Sequence, residues 1–186
     1  MNLSRRLRTA WIAAAVAAAF VIAMPANAKS AAEISRDANV ALKQLLSSNK
    51  AARTLAAQAQ AILVFPTIIK GGFLFGGQFG EGALLQQGRT TGYYRTVSAS
   101  YGLQAGIQKY GYALFLMNPG AVEYLNKSDG WELGVGPTLT VVDEGFSGSF
   151  STTTARSDVY AFFFDQKGLM AGLGLQGTKL FRIHPN

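Results

Sequence analysis

Residues 61–82 read AILVFPTIIKGGFLFGGQFGEG, and within this stretch the chain changes character. The apolar run over residues 61–65 is typical of a buried β-strand, and Pro66 is expected to close that strand or to lie at its edge. Glycine then becomes frequent, because all 21 glycines of the chain lie between Gly71 and Gly177. The stretch therefore predicts a boundary between a glycine-free N-terminal part and a β-rich remainder.

The segment before this boundary, residues 29–60, is rich in alanine and predicts helices. Its apolar side chains recur at three- and four-residue steps and form one helical face, which consists of Ile34, Ala38, Ala41, Leu42 and Leu45. Residues 47–49 interrupt this pattern and can cap a second helix over about residues 50–60.

The segment after the boundary, residues 61–183, has the composition of a β-sheet. Short runs of Val, Tyr, Phe, Leu and Thr alternate with glycine-rich turns, and strands are predicted near residues 72–79, 82–87, 95–107, 111–117, 131–142, 158–165 and 168–182. Asn118 and Pro119 predict the start of a short helix, residues 76–82 a tight turn and residues 143–157 a long loop. The predicted fold class is α+β, with N-terminal helices packed on a glycine-rich, mostly antiparallel, partly barrel-like β-sheet.

A Gly-x3-Gly frame recurs in this β region, at Gly72 and Gly76, Gly102 and Gly106, Gly130 and Gly134, and Gly168 and Gly172. Residues i and i+4 of a strand point to the same face, so each frame is expected to remove two side chains from one face of one strand. Such glycines suit a bent sheet or barrel, or a surface that another backbone approaches closely. The alternative is the ordinary use of glycine in turns.

Residues 1–28 have the order of a cleavable secretory signal peptide. Three arginines precede an apolar run over residues 10–24, and Ala26-Asn27-Ala28 supplies the small residues of a cleavage site. The run has 15 residues, fewer than the ~20 that a membrane-spanning helix needs. We expect cleavage after Ala28, export and a periplasmic location. An uncleaved N-terminal anchor is the alternative, and the choice between the general and the twin-arginine pathway stays open.

The remaining 158 residues suffice for one domain with its own core. The absence of cysteine means that this core must hold without disulfides. The exported part has 14 basic and 10 acidic residues, a formal charge of +4. This mild excess suits an anionic membrane surface or an acidic ligand. It does not favour nucleic acid, for which no motif is present.

The residue inventory leaves little for catalysis. His184 is the single histidine and there is no cysteine, so cysteine nucleophiles and metal sites of the His/Cys type are excluded by count. Residues 172–177 match the letters of a dinucleotide-binding fingerprint, but only nine residues follow, too few for the helix that the motif requires. We therefore expect no catalytic residue, no metal and no cofactor.

Basic residues recur every seven positions in the helical segment, at Lys29, Arg36, Lys43 and Lys50. On a helix this spacing drifts by only ~20° per step, so they form one stripe beside the apolar face. Such a helix could lie on an anionic bilayer with its Leu and Ile residues inward. The alternative is a helix packed on its own sheet with a solvated basic rim. Arg36, Lys43 and Lys50 are the candidate lipid-headgroup residues.

The stretch 61–82 resembles the signature of the SYLF domain family, and further matches follow in order at residues 101–106, 133–137 and 159–177. The resemblance covers about residues 31–182. It implies N-terminal helices against a β-rich body, and binding of membrane lipids. Eukaryotic relatives bind phosphoinositides, in part through an amphipathic N-terminal helix, and some bind actin. Lys70 is the position-matched basic residue.

Export makes actin and phosphoinositides poor candidates here, so an anionic phospholipid is the expected partner. The resulting hypothesis is a non-enzymatic lipid-binding protein of the bacterial cell envelope. Helix cations would meet headgroups, and apolar helix residues or a gap in the glycine-lined sheet would take acyl chains. The alternative is a structural or protein-interaction module of the envelope without a lipid ligand.

Overall fold

The computed structural model describes residues 29–72, 75–101, 106–127, 130–142, 157–167, 175 and 177–186. Their elements in chain order are α1 (Ala31–Ser48), α2 (Lys50–Ala56), β1 (Ala61–Gly72), β2 (Phe75–Gln86), β3 (Arg89–Tyr101), β4 (Gly106–Leu116), α3 (Pro119–Lys127), β5 (Trp131–Glu132), β6 (Leu139–Val142), β7 (Val159–Lys167) and β8 (Lys179–Ile183). The predicted signal peptide, most of the predicted 143–157 loop, and Gly102, Gly168 and Gly172 lie outside the described residues.

The described strands form one curled half-barrel sheet in the order β5-β8-β3-β2-β1-β4-β7-β6. Every pairing is antiparallel except that of β6 with β7. The predicted α+β class, with helices on a mostly antiparallel, partly barrel-like sheet, is confirmed.

The N-terminal helices divide where the sequence predicts. Asn49 has an extended backbone, and its side chain accepts a hydrogen bond from the Ala52 amide at the start of α2. Helix α1 buries one face, which consists of Ile34, Ala38, Ala41 and Leu45. These positions are three or four residues apart, so one helical stripe packs on the sheet.

The sheet separates two clusters of buried side chains. On one side, which we call the α1 face, α1 and α2 cover Ile62 and Val64 of β1 and Phe115 of β4. On the other side, the α3 face, α3 and Trp131 pack against Leu63 and other residues of the same strands. Because both sides of the central strands are buried, these strands are continuous apolar runs rather than alternating ones.

The sequence predicted that Pro66 ends the first strand or lies at its edge, but Pro66 lies inside the central strand β1. The register shifts there against both neighbours, between Val64 and Thr67 on the β2 side and between Phe65 and Ile68 on the β4 side. Proline has no amide hydrogen to donate to a ladder, and a β-bulge removes it from the pairing. The bulge thus lets β1 continue to Gly72.

Other strand boundaries also differ from the prediction. Residues 76–82 belong to the continuous strand β2, where the sequence predicted a turn. The predicted strand 131–142 is divided into β5 and β6, because Gly134 and Gly136 adopt positive φ angles of 93° and 87°. The predicted strand 95–107 ends at Tyr101 within β3, and β4 begins anew at Gly106.

The described glycine frames do not lie on one face of one strand, so that expectation was wrong. Gly72 of β1 pairs with Gly76 of β2 on one side and with Gly106 of β4 on the other, which places three glycines side by side across strands. Gly130 and Gly134 lie in turns with positive φ, a conformation that glycine adopts without steric cost.

Candidate functional site

The candidate basic helix α1 begins with a capping box. The Ser30 hydroxyl accepts a hydrogen bond from the Glu33 amide at 3.3 Å, and the Glu33 carboxylate accepts one from the Ser30 amide at 2.9 Å. These two bonds satisfy donors that the helix leaves unpaired. The bonds that the Glu33 carboxylate accepts from the Ser30 amide and from the Ser30 hydroxyl favour its ionised form and lower the pKa of Glu33.

The N-terminal half of the basic stripe is locally compensated. Asp37 accepts from Lys29 Nζ at 2.7 Å and from Arg36 Nη2 at 2.8 Å. The hydrogen bond from Lys29, followed by that from Arg36, lowers the pKa of Asp37. The side chain of Arg36 is nevertheless 68% exposed, so the candidate residue is accessible, with a carboxylate beside it.

The C-terminal half of the stripe carries uncompensated charge. Lys43 and Lys50 are exposed, and neither side-chain amine makes a hydrogen bond or ion pair with the described part of the chain. Arg53 of α2 donates hydrogen bonds to the carbonyls of Leu46 and Ser47, both at 2.8 Å, and so links α2 to the end of α1. Lys43, Lys50 and Arg53 form what we call the basic corner of α1 and α2.

The apolar face of α1 is unavailable to a bilayer. Ile34, Ala38, Ala41 and Leu45 are at most 7% exposed because they pack on the α1 face of the sheet. The expectation that this face inserts among lipids is therefore wrong, and the alternative of a helix packed on its own sheet is correct. The exposed side of the helix keeps one large apolar residue, Val40, which is 61% exposed.

Lys70 lies apart from the other candidate residues. It lies two positions after Ile68, and Ile68 is buried on the α3 face. Lys70 also pairs in register with Gln78 of β2 and Gln108 of β4. Since alternate strand residues share a face, Lys70 is on the α3 face near the far end of β1. The structure thus brings Arg36, Lys43 and Lys50 to one side of the sheet and places Lys70 on the other.

The α3 face contains buried polar groups that sequence reasoning missed. Tyr110 donates to Gln78 at 2.6 Å, and Gln78 donates in turn to Thr178 at 3.0 Å. Burial raises the pKa of Tyr110 to about 12. The sequence did contain a signal. Gln78 is followed at steps of two residues by Gly80, Gly82 and Leu84, so it is a polar side chain on a strand face that is otherwise small or apolar. The network joins β2, β4 and the segment before β8.

Two kinds of feature are absent from the described residues. No group of three His, Cys, Asp or Glu side chains in this part of the chain is placed to hold a metal ion. No helix among the described residues is long and apolar enough to cross a membrane.

A known protein family matches part of the chain. The model of Ysc84, described as Las17-binding protein actin regulator, matches residues 97–183, from within β3 to the end of β8. This match confirms the resemblance to the SYLF domain family, which is linked to the binding of lipids and of proteins such as Las17. No curated protein matches the chain. All four candidate cations, Arg36, Lys43, Lys50 and Lys70, lie outside the matched residues.

Proposed function

From the SYLF family match over residues 97–183, we propose that this chain is a non-enzymatic lipid-binding protein of the bacterial cell envelope. It is exported by the signal peptide predicted at residues 1–28 and associates with anionic phospholipid surfaces as a peripheral protein. The surface that makes this contact is the basic corner of α1 and α2.

The distribution of charge is the observation that carries this proposal. Residues 29–60 contain five basic and two acidic residues, whereas residues 61–186 contain nine basic and eight acidic ones. Three of the four net positive charges of residues 29–186 therefore belong to the helical segment. A cation near an anionic bilayer contributes about 1 kcal/mol to binding, so this segment is the part of the protein that such a surface attracts most.

The buried apolar face of α1 limits how the helix can act. Lys43 and Lys50 can reach lipid phosphates from the outer side of the helices while the domain stays folded. Binding of this kind is electrostatic, and salt weakens it over a Debye length of ~8 Å at physiological ionic strength. We therefore expect adsorption without helix insertion.

Vesicle co-sedimentation of the Lys43→Gln/Lys50→Gln variant tests this proposal. Loss of two cations should weaken binding to phosphatidylglycerol-containing vesicles by about 2 kcal/mol, roughly 30-fold. Binding to neutral vesicles and thermal stability should hardly change, because both lysines are exposed. High salt should reduce the difference between parent and variant.

A matched control removes the same net charge from the other side of the sheet. Two exposed cations on the α3 face serve this purpose. One is Lys127 on α3, and the other is Arg182, which pairs in register with the buried Tyr94 of that face. Lys127→Gln/Arg182→Gln should weaken binding clearly less than the corner variant does. Equal losses would mean that net charge matters and the basic corner does not. A parent protein that ignores vesicle charge would refute the proposal.

A protein-interaction module remains the second candidate, because the matched family is described by its binding to the protein Las17. The structure offers a short edge strand, β6, on which Val141 is 44% exposed. Edge strands can add a strand from a partner. Vesicle co-sedimentation separates the candidates, since a lipid-binding protein should sediment with phosphatidylglycerol-containing vesicles at low salt, whereas a protein-interaction module should stay in the supernatant.

A further inference from the structure

Beyond the end of α1, the α1 face of the sheet continues with no helix of the described residues over it. Strand register places five residues side by side there, in the order Lys179 (β8), Val97 (β3), Phe79 (β2), Ile69 (β1) and Lys109 (β4). Residues opposite one another in a ladder share a face, so these side chains form one line across five strands. We call it the lysine-flanked row.

This row is apolar in its centre, with one lysine on each side of the apolar residues. Ile69 is 53% exposed, Val97 and Phe79 are half-buried, and Lys109 and Lys179 are exposed. Sequence reasoning assigned none of them a role. Five residues from five strands share no local pattern, and only the register brings them together.

The neighbouring row makes the apolar centre protrude. Gly71 pairs with Gly77 on β2 and with Ile107 on β4, and Ile107 is 78% exposed. The two glycines have no side chains, so the side chains of Ile69 and Ile107 project above bare backbone at these two positions. Single exposed apolar residues are common on protein surfaces, but adjacent ones with an apolar centre and a polar rim are typical of an interaction site.

The described strands carry three carboxylates on this face, and two of them are already bound. Glu81, whose side chain is 9% exposed, accepts from Arg95 at 2.8 Å, and the Arg95 guanidinium lies 5.3 Å from the centre of the Phe79 ring. Asp165 accepts from Gln44 of α1 at 3.3 Å, in a cleft that Lys109 also lines. The third, Glu132 of β5, pairs in register with Lys179, whereas Lys167 of β7 pairs with Lys109, so the positive charge that suits an anionic partner is greatest at the Lys109 end of the row.

We propose that the lysine-flanked row is a membrane-docking face of this protein. Ile69 and Ile107 enter the interfacial layer of an anionic bilayer, while Lys109 and Lys179 contact lipid phosphates on either side. This inference rests on the proposed function and supplies the apolar contact that the buried face of α1 cannot make. A second copy of the chain fits poorly, because two such rows would bring lysines against lysines.

The test pairs Ile69→Thr/Ile107→Thr with the control Val135→Thr/Val141→Thr. Threonine keeps the β-branched shape that strands favour, and the control valines are 54% and 44% exposed away from the row. The isoleucine variant should bind phosphatidylglycerol vesicles about tenfold more weakly than the parent. The control should bind like the parent, and both variants should melt like the parent.

A tryptophan introduced at position 107 gives a direct measurement of insertion into the bilayer. Trp131 is 1% exposed, so its emission should stay constant, whereas that of Ile107→Trp should shift to the blue on addition of vesicles. Lipids brominated on their acyl chains should quench it.

The outcomes separate this inference from the function. One result would refute the docking face and leave the function standing. In that case the parent binds anionic vesicles, the isoleucine variant binds them equally well, and the tryptophan emission does not change. If the parent itself does not bind, the function fails. If the variant only converts a dimer into a monomer, the row is a self-interface, which overturns the proposal.

Discussion

Gly82→Ala is expected to destabilise the domain strongly, although it adds a single methyl group. A Cβ atom at Gly82 would lie 2.3 Å from the Val64 carbonyl oxygen and 2.7 Å from Cδ1 of Phe65. Folded proteins essentially never contain such contacts, and the nearer atom belongs to the backbone of β1, so a strand must move. The neighbouring bulge at Pro66 explains why β1 approaches so closely.

Overpacking of a well-ordered core costs about 1–3 kcal/mol and sometimes more. We expect a loss of about 3 kcal/mol for Gly82→Ala because the obstacle is backbone. In a domain of this size, that loss corresponds to a melting temperature roughly 6–12 °C lower. Thermal unfolding followed by circular dichroism measures it.

Gly77→Ala on the same strand is the matched comparison. Its Cβ would meet nothing closer than the Ser98 carbonyl oxygen at 3.5 Å, an ordinary contact. Alanine there restricts the unfolded chain and should leave stability unchanged or raise it by about 0.4–1 kcal/mol. Equal melting temperatures for the two variants would refute the close approach of β1 and β2 at Gly82, and with it the steric reason for glycine in this sheet.

Two other predictions concern the buried network and the N-terminus. Tyr110→Phe leaves the Gln78 carbonyl oxygen without its donor and should cost about 1–3 kcal/mol in chemical denaturation. Because burial raises the pKa of Tyr110 from 10.0 to about 12, the native state holds this proton more tightly than the unfolded state. The stabilisation from this protonated tyrosine is complete below pH 10.0 and is lost as the pH rises towards about 12. The free energy of unfolding of Tyr110→Phe should therefore fall less steeply with alkaline pH than that of the parent. An equally steep fall would contradict this. N-terminal sequencing of protein from the periplasmic fraction should begin at Lys29, and retention of Met1 in the membrane fraction would instead indicate an anchor.

The features that the sequence determined alone are those set by local chemistry. The three- and four-residue spacing of Ile34, Ala38, Ala41 and Leu45 specified which face of α1 is buried, because helical geometry relates only near neighbours. Asn49 ended one helix and capped the next for the same local reason. The apolar run that starts at residue 61 located the change from helices to sheet, because β1 begins at Ala61.

Tertiary structure decided everything that depends on register. Pro66 could remain in a central strand because a bulge, formed with two partner strands, removes it from the ladder. Pairing also decided that Lys70 faces away from Lys43 and Lys50, since a one-residue shift in a strand exchanges its two faces. The lysine-flanked row has the same origin: residues from 69 to 179 become neighbours only after five strands have paired, and no local pattern records that alignment.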